Sequence, residues 1–231
     1  MLKNHFKIAW RSLQKHRTSS LINIVGLAAG MAIALVIGLF VMDEVNFDHY
    51  HTNYPRLAEV LLSQSSPEGT DIQPTVATPV GKGLQDQYGD AFAAMSLVSY
   101  PGDHIASVGD KQVSSAGVWA QPDFPNMFSL RMVAGSANAF KDPSSVLIAR
   151  SLAKALFGAA DPINKTIRLD NYLDLKIAGV YDDIPLNSSF SGITVVTPWD
   201  NPAYSYMNKI TDWDNHGCRM FVQLKPGVDL A

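Results

Sequence analysis

The chain has 231 residues, 47% hydrophobic and 17% charged, with 18 Lys+Arg against 21 Asp+Glu for a formal net charge of −3. It is too apolar and too weakly charged for a disordered chain, and long enough for one domain or two small ones. A global basic face for nucleic acid is excluded, and the single cysteine, Cys218, leaves no disulfide framework or multi-cysteine metal site.

The charge is uneven along the chain. Residues 1–42 carry Lys3, Lys7, Arg11, Lys15 and Arg17 and no acid, leaving 13 basic against all 21 acidic residues over 43–231, a net of −8. Residues 1–20 read as a basic amphipathic helix: Leu2, Phe6, Ala9, Trp10 and Leu13 fall at helical spacing beside the stripe Lys3, Lys7, Arg11 and Lys15. This pattern suits a helix in the headgroup layer of a membrane, with Trp10 toward the lipid and the bases, Arg17 included, at its cytoplasmic surface.

Leu21 to Met42 is uncharged, with Asn23 its only strongly polar side chain. As a helix, at 1.5 Å per residue, it would be roughly 33 Å long, enough to cross a hydrocarbon core of about 30 Å. A signal peptide would have a shorter apolar run and a small-residue cleavage site, and a soluble core helix rarely avoids charge for six turns; a single span over 21–42 is the expectation. Five bases before it and Asp43, Glu44 and Asp48 after it put the N-terminus in the cytoplasm and residues 43–231 outside. Within the span Gly26, Gly30, Ala34 and Gly38 recur every fourth residue, a stripe on which a second helix packs closely.

Residues 43–231 hold no second run long enough to span. The pattern predicts a strand from Arg56 to Leu62, a helix from Val76 to Tyr88, and strands at Met95–Tyr100, His104–Val108 and Gln112–Trp119, the last two joined by a Gly109-Asp110-Lys111 turn. A short helix follows over Pro122–Phe128, then a strand at Leu130–Val133. Val146–Ala149 reads as a buried strand and Arg150–Phe157 as a helix ending at Gly158. Lys165–Asp170 and Leu173–Val180 pair across Asn171-Tyr172, and strands at Ile193–Thr197 and Met220–Lys225 complete the set. Without a regular βαβ period this is an α+β domain, possibly of two subdomains. Ser63–Gly69 and Pro185–Ser191 are the expected exposed loops.

Chemistry is sparse. Phosphate-loop, nucleophile-elbow and zinc-protease motifs are absent. His49-Tyr50-His51 reads as a polar membrane-exit segment, since side chains two apart diverge; Asp182-Asp183 and Asp212-Trp213-Asp214 read as solvated loop carboxylates, and Cys218 as a packed side chain. Trp119, Phe124, Met127, Phe128 and Met132 fit a core better than a ligand site. No catalytic, metal or cofactor site is expected.

The opening Phe6-Lys7-Ile8-Ala9-Trp10-Arg11-Ser12-Leu13, the segment Ser20–Met31 and the exit Asp43–His51 together resemble the start of a MacB/FtsX-like ABC transporter permease. The resemblance continues through Val146–Gly158 with Asp161–Asp170, through Gly179-Val180-Tyr181-Asp182-Asp183-Ile184-Pro185-Leu186-Asn187-Ser188, and through Phe221–Asp229; it is least clear over 67–139. It implies a cytoplasmic elbow helix over residues 3–17, a coupling rod over 21–51 and a periplasmic core domain in the bacterial inner membrane system. Implied partners are a separate ABC ATPase, further permease helices or a second permease copy, membrane lipid and a periplasmic adaptor or substrate. The family pattern leads back into the membrane where this sequence stops, so the expectation is a permease portion, from a longer permease or a truncated gene. The alternative from a different class is a single-span sensor or adhesion module.

Overall fold

The computed structural model describes residues 5, 7, 10, 11, 14–67 and 69–228. The chain forms two compact units, residues 1–47 and 48–231.

The first unit is built on helix α1, Arg17–Val45. Among the described residues it is the one helix long and apolar enough to cross a membrane. It is longer than the expected 21–42 because backbone hydrogen bonding does not stop where the apolar run does. Its end is set at Asn46, whose backbone N–H (3.2 Å) and side-chain Nδ2 (2.6 Å) both reach the Met42 carbonyl.

The second unit is a mixed α/β domain with short helices. Its elements in order are β1 (Leu57–Val60), β2 (Leu62–Ser66), β3 (Gly69–Gln73), β4 (Val76–Ala77), α2 (Pro79–Tyr88), β5 (Phe92–Val98), β6 (Gly102–Val108), β7 (Lys111–Ala120) and α3 (Phe124–Met127). Then come β8 (Met132–Gly135), β9 (Ser145–Ala149), α4 (Arg150–Phe157), β10 (Thr166–Leu169), β11 (Leu173–Tyr181), β12 (Ile193–Pro198) and β13 (His216–Leu224).

Six strands close on themselves in the order β7-β12-β9-β11-β10-β6, with β6 pairing back to β7. The β7–β12 and β9–β11 pairs are parallel and the rest antiparallel. Like β12–β9, the β10–β6 seam has two register pairs. There Asp170 clamps across it, accepting from the Ile105 amide at 2.8 Å and meeting His104 Nδ1 at 2.7 Å. Burial pushes the Asp170 carboxyl up, but the His104 and Ile105 hydrogen bonds outweigh it and hold the group below its ordinary value.

β9 shows how sequence sets this architecture. All five residues are buried, and the two-residue period of a strand divides them. Val146 and Ile148 point into the ring with Leu152 and Leu156 of α4, Ile167, Leu175 and Val195. Leu147 and Ala149 point outward into a second cluster with Phe124, Phe140, Tyr181 and Phe190. α4 follows β9 without a loop because Leu152, Ala153 and Leu156 fall on one face and close the ring interior. It ends at Gly158, at φ 64, where the glycine N–H caps the Lys154 carbonyl.

Beyond β7, the antiparallel strands β5, β13 and β1 form a wing that joins the ring at the Val98–Ala120 pair. α2 covers it over a third cluster that includes Leu97, Trp119, Trp199, Met220 and Cys218. Cys218 is fully buried, and burial pushes its thiol up, as suits a packed side chain. Trp119, Phe124, Met127 and Phe128 are core residues and Met132 packs against them.

Two loop expectations are corrected. Ser63–Gly69 lies within the β2–β3 hairpin, a separate two-stranded sheet. Both its faces are polar and solvated, so no apolar alternation marks it. Pro185–Ser191 is not simply exposed: Ser188 and Phe190 are buried, while Leu186 is 90% exposed. The expected Val76–Tyr88 helix begins at Pro79, because Val76 and Ala77 pair with β13 instead.

Candidate functional site

A polar network stitches the first residues of the domain, 48–56, onto the outer aromatic cluster. Asp48 is at φ 60, and its amide donates to the Asn187 carbonyl at 2.9 Å. Its carboxylate accepts from the Ser188 hydroxyl at 2.8 Å and from the Ser189 amide (2.8 Å) and hydroxyl (2.5 Å). His51 Nδ1 lies 2.6 Å from the Phe128 carbonyl, so this nitrogen carries the proton, and Nε2 faces Ser188 Oγ at 3.0 Å. Thr52 bonds Ser129, Asn53 donates to the Asn126 and Met127 carbonyls, and Arg56 donates to the Leu224 carbonyl. The expectation of a merely polar exit segment at His49–His51 is thus corrected: His51 is 2% exposed.

Behind this clasp Phe128, Phe190 and Phe221 meet edge to face at 4.6–5.4 Å. Arg219 stacks over Phe221 at 4.8 Å while its fork grips Glu59 at 2.7 and 3.1 Å. Burial raises Asp48, but donors from Ser189 and Ser188 and nearby His51 together hold its carboxyl below the ordinary value. Burial lowers His51, opposed in part by the Phe128 carbonyl and Asp48. The shifts favour a charged Asp48 and the neutral form of His51, in which the single Ser188 proton serves Asp48 Oδ1 or His51 Nε2 but not both at once.

Asp48, Ser188 and His51 are the residue types of a hydrolase triad, in the wrong order. A nucleophilic serine donates to the histidine, which the acid orients from its far side. Here the serine sits between acid and imidazole, buried, with its hydroxyl given to the carboxylate. This arrangement holds segments together. Among the described residues no group of three or more His, Cys, Asp or Glu is placed to hold a metal. Asp182 pairs with Arg150 and Asp183 accepts from Ser151, so these carboxylates fasten the start of α4.

The residues singled out in the leader lie in the first unit. Gly26, Gly30, Ala34 and Gly38 are exposed on α1, and a Cβ added at any of the three glycines meets nothing within 4 Å. Lys7, Trp10, Arg11 and Lys15 are helical and exposed, Arg17 begins α1, and Arg17 Nε donates to the Gln14 carbonyl. Lys3, with Leu2, Phe6, Ala9 and Leu13 of the apolar stripe, lies outside the described residues.

On the wing, a groove of about 780 Å³ runs between α2, β5 and the segment from Asn208 to Trp213. Trp213 stands at its wall, 59% exposed. Sequence reasoning missed both this groove and the clasp.

A family model described as the MacB-like periplasmic core domain matches residues 20–231. No curated protein matches the chain. Among solved structures, a domain of a protein described as a permease from Porphyromonas gingivalis is 22% identical, with a TM-score of 0.62 over 78% of this chain and 79% of that one. The periplasmic region of MacB from Actinobacillus actinomycetemcomitans is 17% identical, with a TM-score of 0.51 over 67% of each chain. The extracellular domain of the noncanonic ABC-type transporter YknZ from Gram-positive bacteria is 15% identical, with a TM-score of 0.51 over 74% of this chain and 84% of that one. At these identities the likeness to the solved structures is one of fold.

Proposed function

The chain belongs to the family of MacB-like periplasmic core domains of ABC-type permeases, and from this premise we propose that it is the anchor and periplasmic part of an exporter or mechanotransmission complex. A family match that takes in a long apolar helix at its start fits a membrane-anchored protein. In this reading the helix spans the bacterial inner membrane once, the N-terminus and its bases are cytoplasmic, and residues 43–231 are periplasmic. A separate ABC ATPase supplies the work, and a second permease copy or further permease helices pack on the stripe of Gly26, Gly30, Ala34 and Gly38. The domain acts by contact with a substrate or partner, without bond chemistry of its own.

The observation that carries this reading is the clasp. Helix α1 ends at Val45 and the stitched segment begins at Asp48, so two residues, Asn46 and Phe47, join them. A domain that must follow a moving helix needs its entry segment to transmit force rather than fray, and residues 48–56 are bonded to three separate stretches, 126–129, 187–189 and Leu224. The test is affinity isolation of the tagged full chain from its native membrane. Recovery of a Walker-motif ATPase in stoichiometric amount is the expected result; isolation without any ATPase, at native expression and in mild detergent, overturns the reading.

A further inference from the structure

We propose that the free edge of β5 in the wing groove is a docking site for an extended, basic segment of a partner protein, which adds to the wing as a further strand. The proposal rests on the contact role argued above and names the surface and the chemistry of the contact.

β5 pairs with β13 along its length, but with β7 at Val98 alone. On the β7 side, past that pair, its backbone is met by Gln121 and Asp123 of the segment after β7, the Gln121 amide donating to the Leu97 carbonyl at 3.1 Å. Gln121 Oε1 accepts from the Leu97 amide at 2.9 Å, and Asp123 Oδ2 lies at the limit of hydrogen bonding, 3.5 Å, from the Met95 amide. From Ala93 to Met95 no strand of the described residues pairs with this edge. Gln121 and Asp123, whose side chains meet this edge, line the groove together with Phe92, Ala93, Ala94 and Met95, so the groove reaches the edge of β5.

Natural edges are usually guarded by charge, proline or a covering element. Phe92-Ala93-Ala94-Met95 carries none of these guards in its own side chains. An edge met by two side chains and one backbone bond, with no strand over Ala93–Met95, takes an extended backbone by strand addition once the long Asp123 contact at the Met95 amide is displaced. On the opposite wall Gly83 of α2 packs close to Trp213, where a Cβ would touch the indole at 3.4 Å, and Lys82, Gln85, Asp86, Asn208 and Thr211 are polar lining residues.

Charge selects the occupant. Lys82 and Asp86 neutralise each other at 2.6 Å. Asp123 has no ion pair among the described residues, and Asp212 and Asp214 flank Trp213. The net charge of −8 over residues 43–231 reinforces the preference for a basic partner and its attraction from a distance.

The test is selection from a phage-displayed library of random twelve-residue peptides on the full chain in nanodiscs of neutral lipid. The expected result is a convergent set with alternating apolar residues and a Lys or Arg, whose synthetic members slow hydrogen exchange at the Met95 amide about tenfold. Met95→Pro removes an edge donor without taking a ladder bond from β13, and lowers affinity at least tenfold. Asp123→Lys alters one exposed side chain, keeps the fold, and lowers affinity about tenfold for peptides bearing the basic residue. No convergent set, equal binding to Asp123→Lys, or an edge occupied by a second copy of this chain in a concentration-dependent dimer overturns the proposal. The selection needs no ATPase, so its failure is distinct from failure of the ATPase association.

Discussion

Replacing His51 with Ala tests whether the clasp holds the domain's entry. The imidazole is 2% exposed, stands edge-on to Phe128 at 5.2 Å, and bonds the Phe128 carbonyl at 2.6 Å. Truncation removes a ring from a packed site, at about 2–4 kcal/mol by comparison with other large-to-small core changes. It also strands a carbonyl, at about 1–3 kcal/mol where no replacement donor arrives. Asp48 beside it is 24% exposed, so water enters and offsets part of the second cost; the expected loss is about 3 kcal/mol. At roughly 2–4 °C per kcal/mol for a domain of about 180 residues, the unfolding midpoint falls by about 6–12 °C. The assay is thermal unfolding of the full chain in detergent followed by fluorescence of the buried Trp119 and Trp199. His51→Asn keeps one N–H for the Phe128 carbonyl and should recover part of the loss. The residue also carries a pH signature. Burial holds the folded His51 below its ordinary value of 6.5, so the unfolded chain binds the proton first as pH falls. His51's share of stability is complete above 6.5 and drains away as pH falls through 6.5 toward the folded value. Between about pH 7.5 and 5.5 the wild type should lose stability that His51→Ala does not. A midpoint shift under about 2 °C, or parallel pH slopes for the two proteins, would refute the clasp.

Gly135 sits at φ 70, and a Cβ there would lie 2.2 Å from the Ala178 carbonyl oxygen. Gly135→Ala should cost about 3 kcal/mol or more through backbone strain and the shift of β8 against β11, read as a lower urea midpoint. Gly30→Ile should leave membrane insertion intact, because it adds bulk at no hydropathic cost, while abolishing detergent-resistant association with partner helices; unchanged association counts against the packing stripe. Replacing Lys3, Lys7, Arg11, Lys15 and Arg17 with Gln should yield mixed orientation, seen as protease resistance of residues 43–231 in a fraction of spheroplast-bound chains. Uniform orientation would remove the charge argument.

Much of the fold was legible because its signals are local. Val146–Ala149, Arg150–Phe157 and Gly158 carry their strand, helix and cap in thirteen consecutive residues, and the structure keeps those boundaries to within one position. The β2–β3 hairpin was not legible, since polar residues on both faces leave no period to read. The clasp was hidden for a different reason. His51 meets Phe128 and Ser188 across separations of 77 and 137 residues, and the sequence near His51 says only that it is polar. The free edge of β5 was hidden because it depends on β7 turning away after Ala120.

Sequence by itself determined the apolar helix, the opposed charges on either side of Met42 and the family, because hydropathy, charge and short ordered motifs are properties of consecutive residues. Tertiary structure alone decided that six strands close around Val146, Ile148 and Leu156, that residues 48–56 are fastened by distant loops, and that no strand of the described residues pairs with β5 on its β7 side from Ala93 to Met95. Those facts depend on which backbone and side-chain groups find partners across the chain, and each is settled by geometry in three dimensions.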